Sequence, residues 1–314
     1  MNLIIGNVNC STKFGNVGQP ACAVKLDHLV GFILTFDGFE IPNAKLGSFD
    51  DAIDYLQKAS VASGRDRIFY IPKVFGNEDN TPEPDVKKSG YGFVVKTDEM
   101  PHEFTIEHED LGIEFHKRLR RFRNRKDLRV YWIDTTFIGG QQTTTGLKGF
   151  ECSFMSKQVE VGIKGGDYTM YKSTLQIQDP TALTDKLSTV LLPEDFDLSV
   201  ELGAILDVDV TATGGALSAT IKAKTSISKT DLYRLYSEEL ADPNAWVCTN
   251  ASGAVVSATG VVKDDSAKGW VLTLPAGVYT ISLANPTSLV GLGVGSFKSG
   301  GYESNAVSVT VTAE

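Results

Sequence analysis

The first strong pattern is a nearly unbroken apolar stretch over residues 22–36, rich in β-branched and aromatic side chains, which predicts one or two buried strands. The period then changes. Phe49, Ala52, Ile53, Leu56 and Ala59 fall on one helical face, Ser48 is a suitable N-cap with Asp51 three residues on, and Gly64 suits the stop. Asp50, Asp51 and Asp54 favour the positive end of that helix dipole. Residues 67–74 read as a strand that Pro72 places at an edge or ends early. Residues 76–85 read as a long, Pro-rich polar loop. Residues 91–96 and 102–108 alternate around 97–101, which predicts a β-hairpin. A second helix is expected over 112–126, with Phe115, Leu119 and Phe122 on one face, and a long strand over 128–138. Residues 139–146, Gly and Thr throughout save for two glutamines, read as a mobile loop. Strands at 149–155, 157–163 and 168–178 end at Asp179-Pro180.

Near residue 204 the pattern changes character. After residues 181–200, which read as a linker (about 181–203) or a short helix, the chain becomes rich in Thr, Ser, Val, Ala and Gly. Strands are expected at 205–212, 216–224, 244–249, 254–262, 269–274, 277–284 and 305–312, with a helical connection at 231–240. Seven short strands between turn signals suggest an antiparallel sandwich. The reading is thus mainly β (α+β) in two modules, residues 1–200 and 204–314.

Composition adds two constraints. The 314 residues are 42% hydrophobic, enough for two cored domains. Net charge is −9, which argues against a general nucleic-acid binder. Residues 205–314 hold seven of the 30 basic and ten of the 39 acidic groups, so charge is sparser there. The four cysteines, Cys10, Cys22, Cys152 and Cys248, are scattered and read as free thiols of a reducing compartment. Residues 1–6 lack the basic flank and apolar core of a signal peptide, and no apolar stretch approaches 18 residues, so neither secretion nor membrane insertion is expected.

Candidate chemistry is thin. Lys117, Arg118, Arg120, Arg121, Arg123, Arg125 and Lys126 crowd into ten residues, either facing phosphates or pairing with acids of this chain or of a neighbour. His102 and His108 lie six apart on one strand face, too few for a metal site without further ligands. His28 reads as a core or interface residue. Asn77-Glu-Asp-Asn80 lacks EF-hand spacing, and Gly165-Gly-Asp167 and the glycines at 291–295 read as turns. No nucleophile elbow, H-E-x-x-H or kinase signature occurs, and neither an enzyme nor a cofactor is expected.

Several segments carry a family resemblance: 31–38, the helix from Ser48, 76–81 followed by 89–92, 131–138 and 171–180. On these, residues 1–185 resemble bacteriophage virion proteins, most closely the tail tube class of phages with Bacteroidetes hosts. The C-terminal module is similar to the immunoglobulin-like domains that decorate phage tubes and capsids. The resemblance implies a β-sandwich or barrel with flanking helices that self-assembles into stacked rings, hexamers as a rule, through which DNA passes without sequence-specific binding. It implies a virion protein made in the host bacterial cytoplasm, with other virion proteins as partners and host-surface glycans as a target of the decoration domain. Intersubunit contacts are then expected at Asn77, Glu78, Asp79 and Asn80, at Lys117, Arg118, Arg121 and Arg125 of the basic helix, and at Gln141 and Gln142. A capsid or decoration protein and a carbohydrate-binding or adhesin module are the alternatives.

Overall fold

The computed structural model describes residues 29–72, 74–83, 85–88, 90, 94–108, 113–157, 171–183, 185–193 and 196–313. Cys10, Cys22, His28, the expected strand at 157–163 beyond its first residue, and Gly165-Gly-Asp167 lie outside them. The chain is mainly β. It divides into two compact units, Met1–Leu56 with Arg65–Ser199, and Gln57–Gly64 with Val200–Glu314.

The first unit contains strands β1 (Gly31–Phe36), β2 (Glu40–Pro42), β3 (Phe69–Ile71), β4 (Val74–Asp79), β5 (Asp85–Lys88), β6 (Val94–Asp98), β7 (His102–His108), β8 (Leu128–Ile133), β9 (Phe137–Gln142), β10 (Gly146–Lys148), β11 (Phe150–Ser156), β12 (Tyr171–Ile177) and β13 (Leu187–Leu191). Its helices are α1 (Phe49–Ser60), whose last four residues are counted in the second unit, and α2 (Ile113–Leu119), the latter continuing as a 3₁₀ turn, Arg120–Phe122.

Pairing closes six runs of chain into a barrel. In order, β1 pairs with β8, β8 with β11, β11 with β12, β12 with β7 and β7 with β4, all antiparallel. β3, just upstream of β4, pairs back onto β1, and Val74 N donates to Val30 O at 3.2 Å. Alternation along β12 puts Tyr171, Ser173, Leu175 and Ile177 inside. Phe104 of β7 reaches across to Trp132 of β8 at 5.3 Å between ring centroids, and Phe32 to Phe154 at 5.8 Å, so side chains fill the barrel. Leu119 and Phe122 join the same core.

β1 and β8 are buried on both faces, which explains the unbroken apolar run. Phe32 and Leu34 face the barrel, whereas Ile33 sits opposite Tyr131 on the outer face, where Tyr131 meets Phe39 edge-on at 6.2 Å. α1 follows the predicted stripe, burying Ala52, Ile53, Leu56 and Ala59. Ser48 caps it, with Asp51 N donating to Ser48 Oγ at 3.1 Å. The helix ends at Ser60, four residues before the expected Gly64 stop; Gly64 instead takes φ +66° at the start of a short 3₁₀ turn, Gly64–Asp66.

Five local expectations are corrected. The strand at 128–138 is two strands, because Asp134 Oδ1 accepts from Thr136 N at 3.2 Å and turns the chain. The 139–146 loop is instead the β9–β10 hairpin, where Thr143 Oγ1 accepts from Gly146 N at 3.0 Å and binds Glu40 Oε1 at 3.0 Å. Of the expected 91–96 strand, residues 91–93 lie outside the described residues, and 94–96 do not pair with 102–108, since both edges of β7 are taken by β4 and β12; β6 pairs with β5. The 76–85 loop is strand to Asp79. The 181–203 linker contains β13, whose Thr189 and Val190 are buried and which pairs along β9.

The second unit comprises α3 (Leu198–Glu201), which begins just before its boundary, α4 (Leu232–Tyr236), α5 (Pro286–Gly291) and strands β14 (Leu206–Gly215), β15 (Ser218–Thr225), β16 (Trp246–Asn250), β17 (Val255–Val256), β18 (Gly260–Asp264), β19 (Gly269–Thr273), β20 (Gly277–Leu283), β21 (Tyr302–Ser304) and β22 (Val307–Val311). They form two sheets, β18-β19-β15-β14-β21 and β17-β16-β20-β22, around one core. Trp246 and Trp270, one from each sheet, meet at 5.6 Å, and their indole N–H groups donate to Leu240 O and Ser237 O on the helical connection. The expected strands are present, with 254–262 broken into β17 and the start of β18; β21 and α5 are additional. β14 meets both sheets. It pairs with β21 in parallel, Asn305 bonds Val210 N at 2.7 Å, and Thr312 N donates to Gly215 O at 3.0 Å.

Candidate functional site

Strand β4 places the first group of expected contact residues. Among the described residues β4 pairs only with β7, at the end of the sheet, and Asn77, Glu78, Asp79 and Asn80 are all exposed. The tip is ordered rather than loose. Asn80 N donates to Glu103 O at 2.7 Å, Asn80 Nδ2 to Thr105 Oγ1 at 2.8 Å, and Asp79 Oδ1 accepts from Thr81 N at 2.9 Å.

The basic segment is shorter in helix than expected. α2 and its 3₁₀ turn end at Phe122, not 126, because Arg123 is extended and Asn124 takes φ +62°. Leu119 and Phe122 anchor the segment in the barrel core, and Phe122 meets Phe69 at 4.8 Å. Lys117, Arg120, Arg121, Arg123, Arg125 and Lys126 are exposed and Arg118 is half-buried. Arg125 grips Asp127 through Nε and Nη2 at 2.9 and 2.8 Å and lies over the Phe36 ring at 4.5 Å. That grip, with Arg65 at 3.1 Å, holds the Asp127 carboxyl down at about 2.

Gln141 and Gln142 sit on the β9–β10 hairpin, Gln141 half-buried and Gln142 exposed. Gln141 lines a cleft of about 350 Å³ with Arg129, Thr143, Lys148, Glu151, Asp179 and Lys186. Its cations are matched inside the chain. Arg129 Nε and Lys148 Nζ lie 2.6 and 3.0 Å from Asp37 Oδ1, and Lys186 binds Asp179. These hydrogen bonds, Arg129's the larger, lower the Asp37 pKa. The ten expected contact residues therefore occupy three separate places: a strand tip, a helical cap and a hairpin.

One group escaped the sequence reading. His108, at the end of β7, is buried, with Nε2 2.7 Å from Ser173 Oγ. The buried ring of His116 lies 6.1 Å away and stacks on Tyr171. Only the i, i+8 spacing from β7 end to α2 hints at this meeting. Burial, and then His116, push the His108 pKa down to about 4, so it is neutral at physiological pH. His102, on the same strand face as expected, binds Pro180 O at 2.9 Å about 20 Å from His108. Among the described residues no group of three or more His, Cys, Asp or Glu gathers as a metal site. Cys152 and Cys248 are buried free thiols. No described helix is long and apolar enough to cross a membrane.

A comparison with protein-family models found no match, and comparisons with curated proteins and with solved structures found no similar protein.

Proposed function

We propose that this chain is a structural subunit that self-assembles, in a phage tail tube or another part of a virion. The observation that carries the reading is strand β4. Beyond Val74, which bonds Val30 just before β1, its outer edge has no partner among the described residues, and a rigid hydrogen-bonded tip projects exposed polar side chains there. An uncovered strand edge on an otherwise closed barrel is a ready surface for another chain, and a repeated contact of this kind closes into a ring or extends as a filament. The filled barrel interior constrains the mechanism. DNA would pass through a channel enclosed by several copies, not through one copy's barrel.

Negative-stain electron microscopy of the purified chain, with light scattering beside it, tests the proposal. Rings or tubes with a central channel are the expected result. A strictly monomeric particle at every concentration would overturn spontaneous assembly.

A further inference from the structure

We infer that copies of this chain meet head to tail, the cationic cap at Arg120–Lys126 of one copy against the acidic β4 tip of the next. The inference rests on the assembly reading above and names its contact. Two observations on the first unit lead to it. The cap is strongly one-signed: residues 117–126 hold seven cations and no acid, and Arg120, Arg123 and Lys126 are exposed on the turn beyond α2. Asp127, the carboxylate that follows, is already held by Arg125 and Arg65. At the tip the sign reverses. Glu78, Asp79 and Glu83 are exposed around Asn80 and outnumber the one described cation beside them, Lys157, whose Nζ lies 3.2 Å from the Thr105 Oγ1 that Asn80 also binds.

The fold keeps these two surfaces apart. Phe69, at the start of β3, touches Phe122 of the cap, and the chain then runs through β3 and β4 for ten residues to Asp79. The pairing register lines Asp79 up with Phe104, Leu175 and Phe154, three strand spacings or roughly 14 Å across the sheet, and the Phe154 ring lies 6.3 Å from that of Phe122, so the tip sits roughly 20 Å from the cap. The screening length at 0.1 M salt is about 10 Å, so cap and tip do not neutralise one another within a copy. A second copy translated along the same direction brings opposite charges together. The contact uses two different surfaces, so it is heterologous and repeats without limit unless the rotation closes. Complementary charge also favours this pairing over cap-to-cap or tip-to-tip encounters. A polyanion is the rival occupant of the cap, but it would leave the acidic tip without a role.

The test uses sedimentation of the full chain with two charge-reversed forms. One carries Arg120→Glu, Arg123→Glu and Lys126→Glu; the other carries Glu78→Lys and Glu83→Lys, which spares the Asp79 hydrogen bond that orders the tip. Thermal melts must match wild type, which these exposed positions should allow. Wild-type association is expected to weaken about tenfold or more between 50 and 500 mM salt. Each reversed form alone should stay monomeric, because its cap and tip carry the same sign. An equimolar mixture should regain association, because each cap then finds an opposite tip. Wild-type association that is salt-insensitive and unchanged in both reversed forms would overturn the head-to-tail contact while leaving assembly intact. Monomeric wild type together with a monomeric mixture would overturn both readings. Loss of double-stranded DNA binding in the cap form, with association unchanged, would assign the cap to a polyanion instead.

Discussion

Inside the barrel, His108 Nε2 lies 2.7 Å from the Ser173 hydroxyl, on neighbouring strands, and the ring is closed over by His116 and Phe115 of α2. A neutral imidazole is at home there; an imidazolium is not. The unfolded chain takes up the His108 proton near 6.5, whereas the folded chain does so only near 4. Between those values the unfolded state binds more protons, so stability is complete above pH 6.5 and drains away as pH falls to 4. The full loss is about 3 kcal/mol. Denaturant titrations at pH 4.5 and 7.5 should show His108→Gln losing less stability on acidification than wild type. Parallel pH profiles for the two would contradict the account.

Trp270 is fully buried at the junction of the two sheets in the second unit, and its N–H is satisfied by Ser237 O. Trp270→Ala removes the ring that Trp246 and Tyr233 both pack against. The cost should be about 3–5 kcal/mol. Trp270→Phe keeps most of the volume and should cost less, chiefly by leaving Ser237 O without its donor. Urea unfolding of the three chains gives the order.

Glycines differ sharply in what surrounds them. A Cβ on Gly146 would sit 2.0 Å from Ile41 O, in the β2–β10 pair, and one on Gly214 would sit 1.8 Å from Thr310 O, where β14 meets β22. Nothing lies within 4 Å at Gly47. Gly146→Ala and Gly214→Ala should each lower stability by about 2 kcal/mol or more, and Gly47→Ala by under about 0.5 kcal/mol. Equal shifts in melting temperature for all three would show that the strands separate more easily than this packing implies.

Burial pushes the Cys152 thiol well above its ordinary pKa, and the Cys248 thiol up to about 11. Neither carries enough thiolate at pH 8 to react quickly. Iodoacetamide labelling mapped by peptide mass should leave both unmodified in the folded chain and modify both in guanidinium. Fast native labelling of Cys152 would mean that the barrel opens readily.

Legibility in the sequence followed the range of the interaction. The α1 N-cap at Ser48 and its apolar stripe were readable because a helix satisfies itself within four residues. Alternation in β12 and β20 was readable for the same reason, since each side chain reports which face is wet. Boundaries went astray where one side chain or backbone angle outweighed the pattern: Asp134 splitting β8 from β9, and Asn124 ending the basic helix early.

By itself, then, the sequence determined the mainly β class, the change of character near residue 204, the buried run of β1 and the charge of the cap. Pairing was decided only by the tertiary structure. That β6 joins β5, that β4 pairs with β7 and, among the described residues, with no second strand on its other side, and that His108 meets His116 all depend on which edge lies next to which. A strand's periodicity records its buried face; it carries almost no record of its neighbours, because backbone hydrogen bonds are the same for every residue except proline.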